Sequence, residues 1–140
     1  MSRRSWIILF HWCIALLVLA MIKGGTSAPL IRWAFVLIGL TWVGLAVAKG
    51  LAGKPGPKLQ GAMRTFHPWS HRAMYGLLGG TAVLNLGALI NVTPTVWAWN
   101  ALLVLLVASI FHAIFHLWRH TSLNDGALKL MTPKMWHRYL

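Results

Sequence analysis

Long apolar runs alternate along the chain with short basic or turn-forming segments, and the runs predict helices that cross a bilayer. A spanning helix needs about 20 mostly apolar residues, within a range of roughly 17–25. Four segments qualify, over about 6–22, 30–48, 71–90 and 96–118. No Asp, Glu, Lys or Arg stands between Arg72 and Arg119. That stretch is too long for one helix, and Asn91-Val92-Thr93-Pro94-Thr95 divides it with turn-forming residues. Gly24-Gly25-Thr26 separates the first two runs, and Gly50 to Pro68, rich in Gly, Pro and Lys, forms the one substantial loop. The pattern predicts an all-α fold: a polytopic membrane four-helix bundle, one domain over 1–140. Arg3-Arg4 ahead of an apolar run resembles the start of a signal peptide. His11 lies inside that run and no small-residue cleavage motif ends it, so it is read as a retained span.

Composition strengthens this reading. Of 140 residues, 58% are hydrophobic and 10% charged, against about 45–50% and roughly 25% in soluble domains. Asp125 is the only carboxylate side chain, which excludes chemistry built on paired carboxylates. Cys13 is the only cysteine, so neither an internal disulfide nor a cysteine-based zinc or iron–sulfur site is expected.

The net charge of +12 works as a topology signal. Four spans place all but two of the thirteen basic residues on one side, the exceptions being Lys23 and Arg32. By the positive-inside rule both termini and the middle loop are cytoplasmic. Trp6, Trp33, Trp69, Trp97, Trp99 and Trp118 fall near span ends, as in an aromatic belt. The basic side is expected to contact anionic lipid, and no nucleic-acid partner is expected.

The seven histidines carry the candidate chemistry: His11, His67, His71, His112, His116, His120 and His137. An ionisable residue inside a span points to function. His11 lies about 8 Å inside the cytoplasmic end of the first span and His112 about 9 Å inside the same end of the fourth. The two spans run antiparallel, so both imidazoles sit at one depth. This is the arrangement that a six-coordinate b-type haem requires of its axial ligands. His71, at a slightly shallower depth, is the alternative ligand or a haem or quinone contact. His112, His116 and His120 share one helix face, and His67 lies four residues before His71. His67, His116 and His120 are candidates for a quinone or proton-transfer site, with interfacial or propionate contacts as the plainer role. Zinc fits less well, because no third or fourth ligand at suitable spacing is evident. Asn85 and Thr81 are expected to hydrogen-bond across helices.

Several motifs together resemble the bacterial cytochrome b561 family, which includes membrane superoxide oxidase and the cytochrome b subunits of hydrogenases and formate dehydrogenases. The resemblance covers nearly the whole chain. It is carried by Phe10-His11-Trp12, Pro29-Leu30-Ile31, and His71 with Tyr75-Gly76-Leu77-Leu78. The most specific part is Phe111-His112, His120, Leu123-Asn124-Asp125-Gly126-Ala127-Leu128 and Met131-Thr132-Pro133. The family usually holds two b haems, and His11 and His112 match its cytoplasmic ligand pair. The outer pair corresponds to Phe35 and Ala98, neither of which can ligate iron. The resemblance therefore implies a one-haem variant.

The expectation is a haem b cytochrome of the bacterial inner membrane, exchanging electrons with a quinone or a redox subunit on the cytoplasmic side. Arg64, Arg72 and Arg119 are candidate propionate contacts. Two alternatives stand beside it. One is a structural or assembly subunit of a larger membrane complex. The other is a superoxide or quinone oxidoreductase.

Overall fold

The computed structural model describes residues 2–24, 27–50 and 55–139. Gly25 and Thr26 of the first turn, and Lys54 of the middle loop, lie outside the described residues. Four long helices follow one another: α1 (Arg3–Gly24), α2 (Pro29–Lys49), α3 (Gly61–Leu89) and α4 (Thr95–Ser122). A short helix α5 (Ala127–Met131) and a 3-10 turn (Lys134–Tyr139) end the chain, and no strand occurs among the described residues.

Three helices, α1, α2 and α4, are long and apolar enough to cross a membrane. Their apolar residues run all round, as in spans bathed in lipid rather than water. On α1, Ile14, Val18 and Met21 are buried at helical spacing while Leu9, Leu16 and Leu19 face outward. On α4, Ala98, Leu102 and Leu105 turn inward while Val104, Val107, Phe111 and Ile114 are exposed. Helix α3 differs because its polar residues face inward: His67, His71, Thr81 and Asn85 are buried. It also begins at Gly61, well before the predicted start near His71, and it contains Pro68. A proline there removes one backbone donor from the helix ladder.

Neighbouring helices pack antiparallel, α1 on α2, α2 on α3 and α3 on α4, and α1 makes a thinner contact with α4. At Gly39 α2 packs on α3, where a Cβ would make ordinary contact with Ala82 and Leu78 at 3.5 Å. Thr81 donates to the Ala101 carbonyl on α4 at 3.3 Å, and Asn85 accepts from Arg32 Nε on α2 at 3.4 Å. Both polar residues thus bridge helices as expected. The α3–α4 turn closes at Asn91, whose φ of 60° is left-handed, with Val92 N–H bonded to the Gly87 carbonyl at 2.8 Å.

One end of the molecule gathers the start of α1, the end of α2, the start of α3, the end of α4 and the C-terminal segment. Arg3 donates to the carbonyls of Lys49 and Gly50, and Arg4 to that of Lys129. Trp12 Nε1 donates to the Met131 carbonyl at 2.9 Å. Lys58 donates to the Asn124 carbonyl at 3.1 Å. Every histidine lies toward this end.

Candidate functional site

The i, i+4 spacing puts His67 and His71 on one face of α3, and His112 and His116 on one face of α4. The antiparallel packing of α3 and α4 brings the two pairs together. Ring centroids are 4.3 Å apart for His67 and His71, 5.2 Å for His71 and His112, and 4.5 Å for His112 and His116. His67 and His116 stand 6.1 Å apart and His71 and His116 5.6 Å. Within this cluster, one ring nitrogen from each of His67, His71 and His116 lies within 4.8 Å of the other two. These three residues are buried and His112 is half-buried.

The hydrogen bonds define part of the protonation pattern. His71 Nδ1 lies 2.9 Å from the His67 carbonyl. A carbonyl only accepts, so Nδ1 of the neutral ring carries the proton and Nε2 keeps its lone pair. Ser70 donates to the same carbonyl at 2.8 Å. His116 is 8% exposed, and neither of its ring nitrogens has a hydrogen-bond partner among the described residues. Nδ1 of His67, His112 and His120 is buried and likewise unpartnered. A buried polar group left unsatisfied costs about 1–3 kcal/mol. A cluster of such groups is therefore a place where a ligand offsets a standing cost.

His11 sits on α1 across from this cluster, within electrostatic range of His71 and His112. Its ring meets Trp12 and Trp42 edge-on, at 5.9 and 6.0 Å. Trp42 also packs edge-on against Tyr75 at 5.5 Å. A cleft of about 440 Å³ opens beside these rings, lined by Arg3, Trp6, Phe10, Trp42, Lys49 and Tyr75 among others. A second, of about 520 Å³, lies between α3 and α4, with Phe66, Trp69, Phe111, His112 and Phe115 in its wall.

Below the cluster Arg119 is 1% exposed and paired with Asp125, Nη2 to Oδ2 at 2.6 Å and Nε to Oδ2 at 2.8 Å. Asp125 Oδ1 also accepts from the Ala127 N–H at 2.9 Å. Arg119 is within electrostatic range of His67, His71 and His116. Of the other two arginines singled out in the sequence, Arg64 is exposed and donates to the Leu59 carbonyl at 3.4 Å. Arg72 is exposed and lies over the Trp69 ring at 4.8 Å. His120 is half-buried beside Arg119 in sequence, and His137 lies apart, 3.1 Å from the Thr132 carbonyl.

At the opposite end, Phe35 and Ala98 are both 0% exposed. Phe35 belongs to the apolar core with Val36, Leu102 and Leu105.

Two features escape sequence reasoning. One is the third metal-competent ligand: His67, His71 and His116 converge although their spacing suggested no zinc site. The signal was present as two i, i+4 histidine pairs on helices expected to run antiparallel. The other is the role of Asp125 as counter-ion of a buried arginine, which required knowing that the chain doubles back after α4. No protein-family model, curated protein or solved structure matches the chain.

Proposed function

We propose that the protein is a one-haem b-type cytochrome of a bacterial inner membrane, a four-helix bundle with both termini cytoplasmic. His11 of α1 and His112 of α4 would hold the haem iron. The observation that carries this reading is their placement. Two imidazoles from different helices stand at the same end of the molecule, and His112 retains a buried nitrogen without a partner in the chain. His11 is held only by aromatic edges. Among the described residues neither ring is committed to a structural hydrogen bond, which leaves a nitrogen of each available as a ligand.

Bound haem would supply a one-electron ferric–ferrous couple. The chain's own residues hold and shield it. Trp42 and Trp12 fix the His11 ring, and Phe115 and Phe111 border the His112 side of the site. Arg3 and Lys49 line the cleft beside His11, where they would meet anionic groups. Phe35 and Ala98 fill the outer half with close-packed carbon, which favours one redox centre rather than two. The histidine-bearing side is where such a couple would exchange electrons, with a quinone or a redox subunit as partner.

A reduced-minus-oxidised visible spectrum with a haem assay on protein purified in mild detergent tests the reading. The expected result is a b-type band with about one haem per chain, lost in His11→Ala and His112→Ala and kept in His71→Ala. Properly folded protein without haem overturns it and leaves a structural subunit of a membrane complex.

A further inference from the structure

We infer that His67, His71 and His116 form a binding site for a divalent first-row transition-metal ion, separate from the axial pair and not dependent on it. Three observations carry this. The ligand-capable nitrogens lie within 4.8 Å of one another, on three buried residues where α3 packs on α4. His71 is already oriented for ligation, because its Nδ1–H is spent on the His67 carbonyl at 2.9 Å and Nε2 is left as the donor. Metal-bound histidines commonly hold their second nitrogen in this way. His116, more than nine-tenths buried, has no hydrogen bond at either ring nitrogen. No hydrogen-bond partner among the described residues accounts for a polar ring placed there.

The donor set selects the ion. Three neutral imidazoles with no carboxylate or carbonyl suit Zn²⁺, Cu²⁺, Fe²⁺ or Ni²⁺ and offer nothing to Mg²⁺ or Ca²⁺. A tetrahedral ion with metal–nitrogen bonds of about 2.0–2.1 Å brings its donors to about 3.3 Å from one another. Side-chain rotation must therefore close the remaining gap. His116, whose ring nitrogens make no hydrogen bond among the described residues, is the ring least held against that move. Three protein ligands leave the fourth position open, as in catalytic rather than structural zinc sites. His112 packs beside the three ligands, 4.5 Å from His116 and 5.2 Å from His71 between centroids.

Charge is the main opposing term. A dication enters a buried pocket that already lies within range of Arg119. The Asp125 carboxylate, 2.6 Å from the guanidinium, neutralises that arginine and makes the pocket tolerable to a cation.

The test uses the full chain purified in detergent without a polyhistidine tag, loaded with Zn²⁺ and separately with Co²⁺ as a spectroscopic probe. Expected are about one Zn²⁺ per chain by elemental analysis and visible Co²⁺ d–d bands of tetrahedral intensity. His67→Ala, His71→Ala and His116→Ala should each weaken Zn²⁺ binding at least about a hundredfold, while His137→Ala does not. His116→Gln, which keeps most of the side-chain volume, serves if His116→Ala fails to fold. Haem content, read from the same samples, should not change in the His67 and His116 variants, so failure of the haem reading and of this one are distinguishable. Folded wild-type protein that binds no Zn²⁺ or Co²⁺ overturns the site. So does Zn²⁺ that persists in both His116 variants, or a His71→Ala protein that loses haem and keeps metal.

Discussion

Arg119 and Asp125 form a buried ion pair, 2.6 Å between Nη2 and Oδ2, with the two side chains 1% and 0% exposed. Asp125 is the only acidic side chain in a protein of net charge +12. It spans the end of α4 and the start of α5, because its second oxygen accepts from the Ala127 N–H. Asp125→Asn removes the charge and leaves a buried guanidinium uncompensated. Breaking such a pair costs about 3–5 kcal/mol. Thermal unfolding in detergent should show a large loss of stability. A double replacement by Arg119→Met and Asp125→Leu should be milder, since it leaves no orphaned charge. Equal losses in the two proteins would argue that the pair is not the source.

Gly56 packs directly over this pair. A Cβ at that position would stand 2.6 Å from Arg119 Nη2 and 2.7 Å from Asp125 Oδ2. Both atoms are engaged with each other, so neither yields freely. Gly56→Ala is expected to destabilise by about 1–3 kcal/mol, the range for overpacking. The diagnostic measurement is a double-mutant cycle with Asp125→Ala, which removes the carboxylate that the Cβ would meet. Coupled sites depart from additivity by about 0.5–3 kcal/mol, and Gly56→Ala should cost less once the carboxylate is gone. Strict additivity would separate Gly56 from the pair.

The helices were legible where hydropathy alone decides. α1, α2 and α4 lie within a few residues of their predicted limits because lipid-facing spans are apolar all round. α3 was cut short because Gly61, Arg64 and Pro68 read as loop chemistry, whereas tertiary packing carries the helix through them. In the site, the shared end of the histidines followed from span count and sequence position. The convergence of His67, His71 and His116 did not, since helix rotation decides which of several ring faces meet. Asp125 was legible as a motif residue, but its partner was not, because the reversal of the chain at Gly126 (φ 68°) depends on local backbone geometry.

The α3–α4 turn offers a test remote from the histidines. Gly87 lies under Thr93, and a Cβ there would come within 2.7 Å of Thr93 Oγ1. That hydroxyl donates to the Leu84 carbonyl at 3.2 Å, and the Gly87 carbonyl accepts from Val92 at 2.8 Å. Gly87→Ala must displace Thr93 and disturb the closure of the turn. A loss of about 1–3 kcal/mol is expected, with helix content by circular dichroism unchanged. Thr93→Ala in the same chain should restore much of the stability by removing the clash. Failure of that rescue would place the strain elsewhere.

Trp12 is the main anchor of the C-terminal segment on α1, and cutting it should loosen the segment without unfolding the helices. Trp12 Nε1 donates to the Met131 carbonyl at 2.9 Å, and its ring meets Trp136 edge-on at 5.9 Å. Arg4 adds a second tie at the Lys129 carbonyl, 2.8 Å away. Trp12→Phe keeps most of the aromatic area and loses the hydrogen bond, worth about 0.5–1.5 kcal/mol net. Trp12→Ala loses the ring contact as well, with a further contribution of about 0.5–1.5 kcal/mol from the aromatic pair. Lys129, Lys134 and Arg138 lie in or beside this segment, so limited tryptic digestion reads its release directly. Cleavage should accelerate several-fold in Trp12→Phe and more in Trp12→Ala, in that order, while helix content by circular dichroism stays constant. Cleavage at the wild-type rate in both variants would mean that Arg4 and the α4–α5 packing hold the segment without Trp12.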